Sequence, residues 1–241
     1  MFSKKNTICL YSATLLLFHI WIPFNLLGQT VPQNKYGLIV ISDIEQYRAS
    51  VRQDSINRLV DLAAYIPSLV LDIRYATANN FMHEPLYRLP KAFVRLPVAN
   101  ALKNIQAELA TQGLGLKIYD GYRPYSVTVY FYDKLQDSVF LAVPWRGSRH
   151  NRGSTVDLTL VNLKTGKELK MPTAYDAISA KAHIDYQKLS KKVIRNREIL
   201  KQVMHKNGFE VYAPEWWHYD FKEFARFDLL DISFEDLIKT E

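Results

Sequence analysis

The sequence predicts a single α+β domain, and three observations carry that reading. The chain has 241 residues, enough for one full hydrophobic core. Its composition is globular, 48% hydrophobic and 23% charged, without a low-complexity tract or a repeat at solenoid periods. Its elements read in the order helix, strands, helix, strands, without the strict alternation that a parallel βαβ sheet requires.

The first 28 residues are of a different material. Lys4 and Lys5 precede a mostly apolar run from Ile8 to Ile22, which Pro23 and Asn25 end, and Gly28 offers a small residue at a cleavage point. That is the layout of a secretory signal peptide, and the run falls short of the ~20 clean apolar residues of a membrane anchor. The domain is therefore expected over residues 29–241, exported to the periplasm or beyond, with no membrane span after cleavage. Cys9, the only cysteine, lies inside the leader, so the mature chain has no disulfide and no thiol chemistry.

Residues 29 to about 50 read as an extended lead-in with one apolar run at Leu38 to Ile41. Leu59 to Tyr65 is compatible with a helix or a strand edge, and Pro67 ends it. "SLVLDIRYA" alternates as a strand does. In "PVANALKNIQAELATQGLG" Val98, Leu102, Ile105 and Leu109 recur at helical spacing, with Gly113 and Gly115 as stops. "LKIYDGYRP" is a short strand running into a turn. "YSVTVYFYDKLQDSVF" reads as helix, and "STVDLTLVNLKTGKEL" as a β-hairpin turning at Lys164 to Lys167. Lys181 to Lys206 is a basic amphipathic helix, and "GFEVYAPEWWHYDF" is a closing strand.

Net charge is +7, falling to +5 without Lys4 and Lys5. The basic helix is read as a solvated face and not as a nucleic-acid site, because export removes most nucleic acid from reach.

Two stretches can carry chemistry. In "SRHNRGSTVD", His150 precedes a turn containing Gly153, and Asp157 points away from Val156 and Leu158 on the predicted strand. In "PEWWHYDF", Glu215 stands three residues before His218. Zinc takes His nitrogen and Asp oxygen at ~2.0–2.2 Å, and three protein ligands plus water make an open catalytic site. His218 would complete such a set, Glu215 would take a proton from the metal-activated water, and Trp216 and Trp217 would wall the site. Spacing alone leaves this reading level with ordinary turn and core residues. Arg123, pinned by Pro124, suits either an oxyanion or a structural ion pair with Asp120 or Asp72.

"SRHNRGSTVDLTL" and "EWWHYDF", with "LDIRYATANNF", "DGYRP" and "MPTAYD" in the same order, resemble the zinc D-alanyl-D-alanine dipeptidases, from about Ile66 to the C-terminus. The resemblance implies a fold shared with D-Ala-D-Ala carboxypeptidases and the hedgehog domain, with a central, mostly antiparallel sheet and flanking helices. It implies His150, Asp157 and His218 as ligands of one Zn2+ ion, Glu215 as catalytic base and Arg123 as the group steadying the tetrahedral intermediate. Ser148 and Asp176 would line the pocket for a small D-amino-acid peptide, with Asp176 meeting its ammonium. His83 and Glu84 depart from the small residues common near the substrate rim. The activity implied is hydrolysis of D-Ala-D-Ala. The alternatives are a D,D- or L,D-carboxypeptidase trimming longer wall peptides, and a metal-dependent wall-binding module without turnover. His/Asp/His sites accept several divalent ions.

Overall fold

The structure is a computed structural model that describes residues 31–138 and 141–239. The leader expected over residues 1–28, with Cys9, lies outside the described residues. No helix among the described residues is long and apolar enough to cross a membrane.

The chain opens with β1 (Val40–Ile41) and then α1 (Ile44–Gln53), where an extended lead-in was expected. Asp43 caps α1 by accepting from the Gln46 N–H at 2.9 Å, and Glu45 and Arg52 sit at the favourable ends of its dipole. Tyr47 is its only fully buried residue, and Ile44 and Val51, at helical spacing from it, pack against the core beside it. Leu59 to Tyr65 is both things the sequence allowed. β2 (Leu59–Asp61) leads directly into α2 (Leu62–Tyr65), with Asp61 accepting from the Ala63 N–H at 3.0 Å.

"SLVLDIRYA" yields only the two residues of β3 (Val70–Leu71); the chain then coils into a 3₁₀ turn at Arg74–Ala76 that buries Tyr75. β4 (Phe93–Arg95) pairs antiparallel with β2 and feeds α3 (Leu96–Ala110), which buries Val98, Leu102, Ile105 and Leu109 as their spacing predicts. Gly115 is not a helix stop. It belongs to β5 (Leu114–Asp120), where a Cβ would lie 2.8 Å from the Leu163 side chain. α4 (Tyr125–Leu135) follows the "DGYRP" turn.

β6 (Thr155–Asn162) is the middle strand of a five-stranded sheet. Its expected hairpin partner is reduced to a single bridge, Val161 to Glu168. α5 (Lys191–Lys206) begins about ten residues later than predicted, where Ser190 caps it through the Val193 N–H. The preceding segment is needed elsewhere: Ile184 N–H donates to the Ala213 carbonyl and Trp216 N–H to that of Ala182, bracing the turn that carries Glu215. α5 is also not wholly solvated on its basic side, because Arg197 is fully buried and donates to the carbonyl of Tyr186 at 2.7 Å. "GFEVYAPEWWHYDF" is two strands, β7 (Phe209–Val211) and β8 (His218–Phe221), antiparallel to one another. β9 (Leu229–Leu230) pairs parallel with β1, and α6 (Phe234–Ile238) ends the described chain.

The main sheet has the order β3-β5-β6-β8-β7, with β3 parallel to β5 and every other pair antiparallel. Helices flank it, so the α+β class with a mostly antiparallel sheet holds. Two features of this sheet place the site. A register shift between Ile118 and Asp120 brings Asp120 opposite Asp157, a local kink of the kind that re-aims side chains. On the other edge, Asp157 pairs directly with His218.

Candidate active site

Asp157 and His218 are cross-strand neighbours, so their side chains emerge on the same face of the sheet. His150 reaches that face from a 3₁₀ turn, His150–Arg152, closed by Gly153 at φ 67°. A Cβ on Gly153 would stand 2.5 Å from the Leu59 side chain, so both the left-handed backbone and the contact demand glycine. The His150 Nδ1 lies 2.7 Å from the Gly121 carbonyl oxygen. A carbonyl only accepts, so Nδ1 carries the proton and Nε2 keeps its lone pair for the site. On His218 the roles are reversed: Nε2 faces Asp220 Oδ1 at 3.2 Å and Nδ1 faces inward.

Three atoms then converge. His150 Nε2 lies 3.4 Å from Asp157 Oδ1 and 3.4 Å from His218 Nδ1, and that Nδ1 lies 3.2 Å from Asp157 Oδ1. Tetrahedral bonds of about 2.0–2.1 Å place ligand atoms roughly 3.3 Å apart, so the triangle has the edges of a zinc ligand set. Asp157 Oδ1 is buried and, despite the two nearby nitrogens, has no aligned hydrogen-bond donor. Its other oxygen accepts from the Tyr175 hydroxyl at 3.0 Å. A buried carboxylate oxygen without a donor, beside two imidazoles each anchored through its far nitrogen, is the arrangement a cation completes.

The electrostatics agree with the geometry. Burial would raise the Asp157 carboxyl, but His150 and His218 outweigh it and hold it well below the usual carboxylate range. Burial would lower His218, but the negative carboxylates of Asp157 and Asp220 beside it hold it well above an ordinary histidine. Asp220 falls to about 2: burial opposes the shift, and His218, Thr155 and Arg149 drive it. Glu215 closes the triangle's open side, with Oε2 3.5 Å from His218 Nδ1. Burial pushes its carboxyl up, towards the protonation range of a proton-transfer group. Its position comes from two consecutive tight turns: Glu215 N–H donates to Tyr212 O, and His218 N–H to Glu215 O.

Arg123 makes the ion pair with Asp120 that the sequence allowed, through Nε at 3.1 Å and Nη2 at 2.7 Å. Its guanidinium also stands over the rings of Tyr75 and Phe131, which fixes it. Asp176 has a left-handed backbone, φ 58°, and accepts from the Tyr75 hydroxyl at 3.0 Å. Burial pushes its carboxyl well above the usual range, with the Asp157 charge adding to the effect. Ser148 Oγ accepts from the His150 N–H at 3.2 Å.

One cavity of about 370 Å³ is lined by all seven residues singled out in the sequence, Arg123, Ser148, His150, Asp157, Asp176, Glu215 and His218. A family model described as D-ala-D-ala dipeptidase matches residues 55–238, which hold every one of them. The chain belongs to the D-ala-D-ala dipeptidase family.

Among its relatives, the D-alanyl-D-alanine dipeptidase of Escherichia coli is 30% identical over 180 residues, 75% of this chain and 93% of that one. The D-alanyl-D-alanine dipeptidase of Enterococcus faecalis is 32% identical over 168 residues, 61% of this chain and 83% of that one. A solved structure of the vancomycin-resistance D,D-dipeptidase VanXYg, in complex with a D-Ala-D-Ala phosphinate analogue, is 18% identical with a TM-score of 0.36, covering 68% of this chain and 66% of that one.

Within this D-ala-D-ala dipeptidase fold, some expected and observed neighbours of the site differ. Trp216 and Trp217 do not wall the cavity: both are buried, Trp216 donating to Thr173 Oγ1 and Trp217 packing edge-on to Tyr175. Successive residues of a tight turn point in different directions, so adjacency to Glu215 did not make them neighbours of the cavity. Tyr212 lines it instead. His83 is exposed and lies outside the cavity lining, and Glu84 accepts from the Tyr130 hydroxyl at 2.5 Å. Asp220, Tyr75 and Tyr175 were missed. Asp220 had a readable signal, since it sits two residues after His218 on a strand and so on the same face.

Proposed function

We propose that this family member is a zinc-dependent dipeptidase that hydrolyses D-alanyl-D-alanine to two molecules of D-alanine. The observation that carries the reading is the triangle of His150 Nε2, Asp157 Oδ1 and His218 Nδ1, with Glu215 on its open side. These three atoms would hold one Zn2+ ion, which when bound supplies Lewis acidity and brings the pKa of a water to about 7.

The chain's own residues do the rest. Glu215 accepts the proton that the attacking water loses and returns it to the departing amine, so that C–N cleavage leaves a carboxylic acid and a neutral amine, and transfer of the acid proton between them gives carboxylate and ammonium. Arg123, immobilised by Asp120 and two rings, offers a fixed cation to the carbonyl oxygen as negative charge develops there. Asp176 receives the substrate ammonium, and Tyr75 holds that carboxylate in place. Ser148 lines the same cavity. Lys4, Lys5 and the apolar run that follows support export to the periplasm, where the enzyme would salvage free dipeptide released from the wall.

The test is an assay of zinc-loaded mature protein on D-Ala-D-Ala, L-Ala-L-Ala and a pentapeptide ending in D-Ala-D-Ala. Cleavage of the first alone is expected. Preferential release of D-Ala from the pentapeptide would assign a carboxypeptidase, and inertness on all three a binding module.

A further inference from the structure

The charges around the cavity do not all have partners, and the exception has a use. Three arginines line it: Arg123, Arg146 and Arg149. Arg123 spends two nitrogens on Asp120. Arg149 is paired with Asp220 Oδ2 and lies over the Phe224 ring at 4.3 Å. The Arg146 side chain is exposed and makes no hydrogen bond, ion pair or ring contact with any described residue. Its backbone N–H donates to the Val143 carbonyl at 3.0 Å in a tight turn that also takes the Gly147 N–H, so the residue is held at the cavity's edge.

The acids of the cavity are Asp157, Asp176, Glu215 and Asp220. A free dipeptide is a zwitterion. Its ammonium end suits this set, but its carboxylate end is repelled by it unless a cation stands where that end arrives. Among the described residues Arg146 is the lining arginine without a carboxylate of its own. Two residues on, Ser148 accepts from the His150 N–H and still has its hydroxyl proton to donate. An arginine fork beside a free hydroxyl is a carboxylate receptor.

We propose that Arg146, with Ser148 beside it, receives the substrate's C-terminal carboxylate and makes the enzyme selective for peptides whose scissile bond is followed by one free-acid residue. The proposal rests on the dipeptidase reading and deepens it. Arg146 is a binding residue: it acts on selection of the substrate and not on proton transfer.

The experiment compares wild type, Arg146→Gln and Arg146→Lys on D-Ala-D-Ala and on its C-terminal amide; if the amide is not turned over, it is measured as a competitive inhibitor. Arg146→Gln is expected to raise KM for the free acid about tenfold, the worth of one hydrogen bond to a charged group. Its kcat should stay within about twofold, the mark of lost ground-state binding. The amide should be unaffected, so the preference for acid over amide collapses, and Arg146→Lys should restore part of it. An equal loss on acid and amide, or no change on either, overturns the proposal. If wild type hydrolyses D-Ala-D-Ala and Arg146→Gln matches it, only the Arg146 assignment falls. If wild type is inert on the dipeptide, the dipeptidase reading falls and takes this one with it.

Discussion

Val156, Leu158 and Leu160 are fully buried on one face of β6, and Thr155, Asp157 and Thr159 are almost as deeply buried on the other. The first face asks only for shape. The second asks for a partner for each oxygen, and two of the four have one: Thr155 Oγ1 donates to Asp220 Oδ1 at 2.7 Å, and Asp157 Oδ2 takes the Tyr175 hydroxyl. Asp157 Oδ1 and Thr159 Oγ1 are left over. Thr159 is isolated and marks nothing, whereas Asp157 Oδ1 sits within reach of two imidazole nitrogens. Depth of burial therefore does not identify the working face of a strand. Convergence of unsatisfied groups does.

The comparison can be broken most decisively at Glu215. Glu215→Gln should lower hydrolysis by roughly 10²–10⁴-fold, the range for a lost acid–base group, while metal content and melting temperature stay as in wild type. A variant that keeps its rate would move proton transfer to another residue. On the apolar face, Leu158→Ala should destabilise the fold by about 2–5 kcal/mol in urea unfolding, with metal bound per folded molecule unchanged. Loss of metal from the folded variant would mean that the two faces are not separable. Next in size is Asp220→Asn, which weakens the carboxylate behind His218 and should reduce metal affinity by roughly 10–100-fold in a chelator competition. The smallest effect is expected for Tyr175→Phe, about 0.5–1.5 kcal/mol from one lost hydrogen bond, read by thermal melting with metal retained.

The same contrast explains what could be read from the sequence. α3 and the alternation along β6 were legible because each buries apolar residues at a regular period. α1 was not, since its apolar stripe is only Ile44, Tyr47 and Val51 in an otherwise polar segment. The start of α5 was misplaced because charge and scattered apolar residues run back to Lys181, while the backbone there pairs with the Glu215 turn instead. At the site, the side chains in the two motifs were legible. The Gly121 carbonyl that sets the His150 tautomer was not, because a backbone acceptor has no letter of its own. The β5 register shift that brings Asp120 beside Asp157 was hidden for the same reason.

His218 stands 61 residues after Asp157, and His150 seven before it, in a chain whose only cysteine is Cys9. An ion held by these three residues would tie β6 to β8 and to the His150 turn, a covalent-like clasp in a domain with no disulfide to supply one. Binding to the folded state alone adds about 2.7 kcal/mol when free ion exceeds its dissociation constant a hundredfold. Chelation should therefore lower the melting temperature even of Glu215→Gln, whose turnover is already largely lost. Local supply of the ion would then set not only how fast the enzyme works but how long each molecule survives.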